Sequence, residues 1–312
     1  MIEVAMMVEG QNGLTWPRWQ NLATAVEELG FVGLYRSDHY TNANPPDKDS
    51  LELWVSLTWL ASHTSRIEFG PLVSPVSFRH PTLTARMAAA VDDLSDGRLV
   101  LGLGAGWQVR EHTNYGWDLL ETAPRFDRFQ EGLEVITRLL QNEAPVEFEG
   151  AYYHLHEAVL LPRPQRPNGP PILIGGNGPR RTLPLVAQYA NEWNAVFLPA
   201  NQFRELSLQL DELLDEAGRW PQDVRRSLMT GLVFGRTEVD LQAKLATRTT
   251  PAEVLRERGL VVGTGAAVRD QLGALYEAGV QRVMLQWLDL DDLEGLAALA
   301  EGIGLKDGFA TL

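Results

Sequence analysis

The stretch IEFGPLVSPVSFRHPTLTARMAAAVDDLSDGRLVLGLGAG, Ile67–Gly106, decides the fold. Ile67–Val73 is a short apolar run that reads as a strand. Pro81–Leu94 opens on a proline, which suits a first helical turn, and reads as a helix. Arg98–Leu103 is a second apolar run and ends among glycines. Strand, helix and strand in this order make one βαβ unit, whose two strands lie parallel with a right-handed crossover.

The same alternation continues outward. Upstream, Ile2–Val8 reads as a strand, Trp16–Leu29 as a helix ending at Gly30, and Phe31–Arg36 as a strand. Ser50–Ser62 is helical, with Leu51, Trp54, Val55 and Trp59 at i, i+3, i+4, i+8 spacing. Downstream, Phe126–Gln141 is a helix. The rhythm then breaks at Val146–Pro164, an antiparallel hairpin turned at Glu149-Gly150-Ala151 and followed by a Pro-rich loop. The insertion covers about 143–170. Strands resume at Pro171–Ile174, Glu192–Phe197, Ser227–Phe234 and Arg282–Gln286. Helices are expected at Pro179–Tyr189, Asn201–Ala217, Glu238–Ala246, Pro251–Arg258, Ala266–Ala278 and Asp291–Glu301. Eight strands alternating with helices predict an α/β chain folded as a (β/α)8 TIM barrel, with the hairpin after the fourth unit. A single domain over 1–312 is expected; a doubly wound open sheet is the alternative.

Composition narrows the partners. The chain has 312 residues, 45% hydrophobic, and no cysteine, so disulfides, thiolate metal sites and a cysteine nucleophile are out of reach. With 41 acidic against 27 basic residues the net charge is −14, a surface that repels nucleic-acid phosphates. The N-terminus, MIEVAMMVEG, lacks a signal peptide's basic and long apolar regions, and no apolar run is long enough for a membrane span. A cytoplasmic protein without nucleic-acid or membrane partners is expected. No histidine shows metal-ligand spacing with nearby carboxylates, so no metal site is expected.

In such a barrel, chemistry gathers at the C-terminal ends of the strands. The first strand ends in Glu9 and the second in Asp38-His39, which the fold places on one rim. An imidazole beside a carboxylate can be held in one tautomer and can donate to a bound carbonyl. The plain alternative is that Asp38 caps a loop and His39 only packs. Gly102-Leu103-Gly104-Ala105-Gly106 fails the dinucleotide fingerprint, because its spacing is GxGxG and Trp107 occupies the place of the third glycine. Close approach of a flat ligand explains these glycines, as does tight barrel packing. Gly175-Gly176-Asn177-Gly178-Pro179-Arg180-Arg181 joins a strand end to a helix start, where N–H groups, the helix dipole and two arginines could hold a phosphate. It is not a P-loop, since the Lys-Ser/Thr pair is absent. No GxSxG elbow supports Ser-His-Asp hydrolysis. Paired carboxylates such as Glu9 and Asp38 would suit a glycosidase but leave the phosphate site without purpose. The apolar helix around Leu51–Trp59 suggests a homodimer contact, and Trp107 is the tryptophan expected to face a ligand.

LYRSDHY, the Ser50–Trp107 stretch and PPILIGGNGPRRTLPLVAQYANEWN together resemble the luciferase-like monooxygenase superfamily, in particular its F420-dependent oxidoreductases. A weaker tail runs through VVGTGAAVRDQLGALYEAGVQRVMLQ. The resemblance implies a dimeric barrel that holds coenzyme F420, or alternatively FMN, at its mouth. It implies a ring against Leu72, Val73, Ser74, Gly104, Gly106 and Trp107, and a phosphate on Gly175, Gly176, Asn177 and Gly178, with Arg180 nearby. It assigns catalysis to His39 and, less directly, Glu9. F420-dependent dehydrogenases of this family carry a glutamate just after the fourth-strand glycines, where this chain has Trp107; that departure weighs against sugar-phosphate dehydrogenation. The expected activity is hydride transfer between the deazaflavin and a small organic substrate, with His39 positioned by Asp38. An FMN-dependent monooxygenase and a non-catalytic flavin-binding barrel are the alternatives.

Overall fold

Eight parallel staves close into a ring in the computed structural model, which describes residues 2–305. They are Glu3–Val8, Gly33–Arg36, Glu68–Pro71 continued by Ser74–Pro75, Leu101–Gly104, Ile172–Gly175, Glu192–Val196, Arg225–Phe234 and Arg282–Gln286. The first pairs with the second and the eighth, and neighbours follow in sequence round to the fourth. The ring closes where Ser74 and Pro75 pair with Leu103 and Gly104, and where Phe69 bridges Leu99. The chain is therefore a (β/α)8 barrel, and the open sheet is excluded.

These strands are apolar runs because both of their faces are covered. Ala5, Met7, Tyr35, Leu72, Val100, Leu173, Met229 and Met284 fill the barrel interior. Alternate positions such as Val4, Met6 and Leu34 pack outward beneath the helices. At the N-terminal end the interior is sealed by Arg282, which is 1% exposed. Its guanidinium donates to Tyr35 Oη at 2.7 Å and lies 2.9 Å from Glu3 and 3.3 Å from Glu192. A buried charge needs such partners to offset its lost hydration. The barrel consequently opens only at the other end.

The hairpin stands after the fourth unit as a separate two-stranded sheet, Val146–Glu149 against His154–Ala158. Phe148, Tyr153 and Leu155 are buried, while His154 and His156 face outward beside Glu149 and Glu147. Besides a 3-10 turn at Pro221–Asp223, two elements have no counterpart in the sequence reading. A helix at Val109–Tyr115 follows the fourth strand, and Val261–Gly263 pairs with the end of the seventh. The helix expected from Pro179 begins at Thr182, because the Gly178 carbonyl takes both the Thr182 and Leu183 N–H groups in a turn. The helix Leu53–His63 buries Trp54 in the core, so that tryptophan is no surface residue. Trp59 is half-buried, stacked on His63 and edge-on to Trp16. Among the described residues, no helix is long and apolar enough to cross a membrane.

Candidate functional site

The open end of the barrel holds a cavity of about 510 Å³. Met7, Leu72, Val73, Val196 and Met229 give it an apolar floor. Its wall carries Glu9, Asp38 and His39 from the first two strand ends, and Gly104, Gly106 and Trp107 from the fourth. Gly175 and Gly176 reach it from the fifth. Ser74, Asn177, Gly178 and Arg180 do not line it. Ser74 lies behind Asp38, and Asn177 braces the sixth strand, exchanging hydrogen bonds with the Val196 backbone at 2.7 and 2.9 Å. Arg180 points into a separate groove on the outer side of Phe126.

His39 is held by a residue the sequence reading did not single out. Its Nδ1 lies 2.8 Å from Oε1 of Glu111, on the short helix after the fourth strand. The second carboxylate oxygen of Glu111 accepts the Tyr40 N–H at 3.1 Å. An ionised carboxylate only accepts, so Nδ1 carries the proton and donates. Nε2 has no hydrogen-bond partner among the described residues, and the ring lines the cavity. Trp107 packs edge-on against the imidazole, with centroids 5.4 Å apart. Burial pulls the His39 pKa down, but the hydrogen bond and charge of Glu111, with Glu9 and Asp38 behind them, outweigh it and raise it above the ordinary 6.5.

Asp38 does not position His39, contrary to the sequence expectation. Its carboxylate accepts from Ser74 Oγ at 2.8 Å and is paired with the Arg79 guanidinium, which also reaches Glu52 at 2.6 Å. Asp38 is 4% exposed, and that burial raises its pKa against the pull of Arg79. Its charge is spent within the wall. Glu9 instead takes two neutral amides, Gln286 Nε2 at 2.7 Å and Gln11 Nε2 at 3.1 Å. Gly10 must lack a side chain because a Cβ there would lie 2.2 Å from the buried Arg36 guanidinium.

The glycines resolve two sequence alternatives. A Cβ on Gly102 would meet the Pro71 carbonyl oxygen at 2.0 Å, so Gly102 answers to barrel packing. A Cβ on Gly104 would lie 2.7 Å from Val73 Cγ2, and one on Gly175 would lie 3.1 Å from Val73 Cγ1. Val73 thus pushes into the cavity floor between the third, fourth and fifth strands, and glycine makes the room. Gly106, at φ +86°, takes a backbone conformation that favours glycine. The result is a cavity with an apolar floor, bare backbone on one side and polar groups on the other. Those features suit a flat ring with a polar edge. The Gly176–Thr182 end of the cavity offers backbone and a hydroxyl to an attached phosphate. Arg125 is the one guanidinium among the described lining residues, and it is committed to the carbonyls of Gly106 at 3.1 Å and Leu120 at 2.9 Å.

Besides Glu111, the sequence reading missed Arg125, Phe126, Thr182, Asn194 and Phe197 as lining residues. Phe197 follows from the rule that strand ends carry function, since it directly follows the sixth strand, whereas Asn194 sits in the middle of that strand. Arg125 and Phe126 open a helix and carried no comparable signal.

These features define a barrel enzyme site at the C-terminal strand ends, and the comparisons with known proteins name its class. Residues 2–250 match the family described as luciferase-like monooxygenase, and the chain belongs to that family. It is similar to the F420-dependent glucose-6-phosphate dehydrogenase of Kineococcus radiotolerans, 28% identical over 293 residues, which span 90% of this chain and 82% of that protein. Three further dehydrogenases of that name match over 58%, 63% and 64% of their own lengths. It is also similar to the 4-hydroxyprotoasukamycin monooxygenase of Streptomyces nodosus subsp. asukaensis, 26% identical, spanning 91% of this chain and 84% of that one. A solved F420-dependent secondary alcohol dehydrogenase, in complex with an F420-acetone adduct, shares the fold. Its TM-score is 0.83 at 17% identity, over 97% of this chain and 99% of that one.

Proposed function

We propose that the protein is an F420-dependent oxidoreductase that moves a hydride between the deazaflavin and a small organic substrate. The observation that carries this reading is the Glu111-held His39 at the wall of a cavity with an apolar floor. Similarity to F420-dependent dehydrogenases supports the choice of cofactor. The ring would lie on Val73, between Leu72 and the bare backbone of Gly104–Gly106, and the phosphate would lie by Gly176 and Thr182. The deazaflavin, when bound, supplies hydride transfer at its ring; the protein supplies binding, orientation and electrostatics.

His39 is the proton donor and acceptor at the substrate oxygen. With Nδ1 fixed on Glu111, its Nε2 is the atom that faces a carbonyl or an alcohol. Ketone reduction needs the doubly protonated ring, whose Nε2 proton passes to oxygen as the hydride reaches carbon; alcohol oxidation needs the neutral ring, whose Nε2 takes the hydroxyl proton. Trp107 and Phe126 narrow the mouth and keep water from the reacting atoms. The commitment of Arg125 to backbone carbonyls, next to the carboxylates of Glu9 and Glu111, supports an uncharged substrate rather than a sugar phosphate.

Fluorescence titration of the purified protein with F420 and with FMN tests the reading. Tight binding of F420 and weak binding of FMN support it. The reverse preference moves the protein to the second reading, an FMN-dependent monooxygenase, which its similarity to 4-hydroxyprotoasukamycin monooxygenase favours. F420 bound without any redox change in the presence of ketones or alcohols would leave a ligand-binding barrel.

The same reading expects a cytoplasmic homodimer. Val55, 56% exposed, with the half-buried Trp59 beside Trp16 supports an interface on that helix. Light scattering of the wild type and of Val55→Asp checks it; a monomeric wild type removes it.

A further inference from the structure

Arg180 and Arg181 belong to the glycine-rich turn but stand outside the cavity. With Gln130 and Gln188 they line a groove of about 180 Å³. Phe126 forms a wall of both spaces, and the Arg181 guanidinium lies 5.9 Å from the centroid of its ring. Thr182, the next residue in the chain, lines the cavity itself. A ligand that leaves the cavity over Gly176 and Thr182 therefore arrives at these two arginines.

Both arginines are exposed, and among the described residues neither has an ion-pair partner. Several other exposed or half-buried arginines are spent, Arg18 on Asp291 at 2.6 Å, Arg110 on Asp47 at 2.6 Å and Arg236 on Glu294 at 2.9 Å, while Arg248 and Arg258, also without an ion pair among the described residues, do not line this groove. Asp127 is the single carboxylate lining the groove. In a chain of net charge −14, two uncommitted guanidiniums at the exit of a ligand cavity form a local positive site.

We propose that this groove binds the acidic tail of the coenzyme, the chain of glutamate carboxylates that F420 carries beyond its phosphate. The proposal rests on the cofactor reading above. Arg180 and Arg181 pair with tail carboxylates, and Gln130 and Gln188 offer neutral donors beside them. The arginines thus select a tailed deazaflavin over a ligand with the same ring and no tail. Exposed ion pairs are individually weak and are screened by salt, so the preference is about 10-fold at low ionic strength and shrinks as salt is added.

The test is a fluorescence titration with three probes: F420 with its glutamate tail, the same deazaflavin with its phosphate but without the glutamates, and FMN. Each is titrated at low and at high salt into the wild type and into an Arg180→Gln, Arg181→Gln double variant. The expected result is tighter binding of tailed F420 by the wild type, a gap that closes with salt, and its loss in the double variant. Unchanged binding of the tail-less phosphorylated deazaflavin shows that the variant is folded. Equal binding of both deazaflavins by the wild type, or a variant that weakens both alike, overturns the tail groove and leaves the cofactor reading standing. Binding of neither deazaflavin overturns both.

Discussion

The Glu111 carboxylate, 1% exposed, lies 2.8 Å from Nδ1 of His39, although 72 positions separate the two in the chain. A buried carboxylate against an imidazole fixes three things at once. It sets which nitrogen carries the proton, it orients the ring, and it favours the charged form. A histidine so held keeps its proton above the pH at which a free one would lose it.

Glu111→Gln keeps a hydrogen-bond acceptor but removes the charge. The His39 pKa should fall, and the alkaline limb of the pH–rate profile for ketone reduction, which needs the protonated ring, should move to lower pH with it. Turnover at neutral pH should drop about 10- to 100-fold, less than the roughly 10²- to 10⁴-fold that a whole proton-transfer group contributes, because the imidazole itself remains. The pair should also show in stability. Its contribution is complete below the unfolded histidine value near 6.5 and is lost as pH rises through the raised folded value. Histidine NMR titration of the two proteins checks the shift; coincident His39 curves would mean that Glu111 does not set it.

His39→Ala should lower kcat about 100-fold or more while leaving the dissociation constant of the cofactor within about twofold. The imidazole contacts the substrate side of the cavity and supports neither the apolar floor nor the Gly176–Thr182 end. Stopped-flow hydride transfer under saturating cofactor separates the two effects. Undiminished transfer would remove His39 from the chemistry.

The barrel was legible because parallel strands buried on both faces become uninterrupted apolar runs, and eight such runs with helices between them have few ways to pack. The rim followed from the barrel, which is why Glu9, Asp38 and His39 were found. Their partners were not. Glu111 belongs to VREHTNY, Val109–Tyr115, a short helix whose buried residues are Glu111 and His112, so hydrophobic periodicity cannot reveal it. Arg79 meets Asp38 across 41 positions, and adjacency in sequence suggested His39 as its partner instead. Arg180 was placed with the phosphate because a helix was expected from Pro179. The turn closed by the Gly178 carbonyl delays the helix to Thr182 and swings the arginine outward.

Arg79→Ala should destabilise the protein by about 3–5 kcal/mol, because it leaves the buried Asp38 carboxylate without its hydrogen-bonded cation, only the Arg36 charge remaining nearby. Burial already raises the Asp38 pKa, and Arg79 is the first group opposing it. An acid whose folded pKa is raised costs stability while it is ionised. The loss should therefore be largest at neutral pH and shrink as pH falls and Asp38 takes up a proton. Asp38→Asn on the Arg79→Ala background should recover much of it, since a neutral amide is cheaper to bury. Urea unfolding of the four proteins gives the coupling. Additive losses would show that the pair is not what neutralises Asp38.

Gly104→Ala should cost about 1–3 kcal/mol, as overpacking typically does, because its Cβ would lie 2.7 Å from Val73 Cγ2. The remedy lies on the other strand. Val73→Ala removes the methyl groups that Gly104 accommodates, so the double variant should be more stable than Gly104→Ala alone even though Val73→Ala opens a gap of its own. Cofactor binding should separate from stability in this set. Val73 forms part of the cavity floor, so both variants that lack its branched side chain should bind the ring more weakly, whatever their unfolding midpoints. If Gly104→Ala and Val73→Ala instead add without coupling, the close approach of these two residues does not explain the glycine. The requirement would then come from a ligand lying against the fourth strand, as the sequence alone allows.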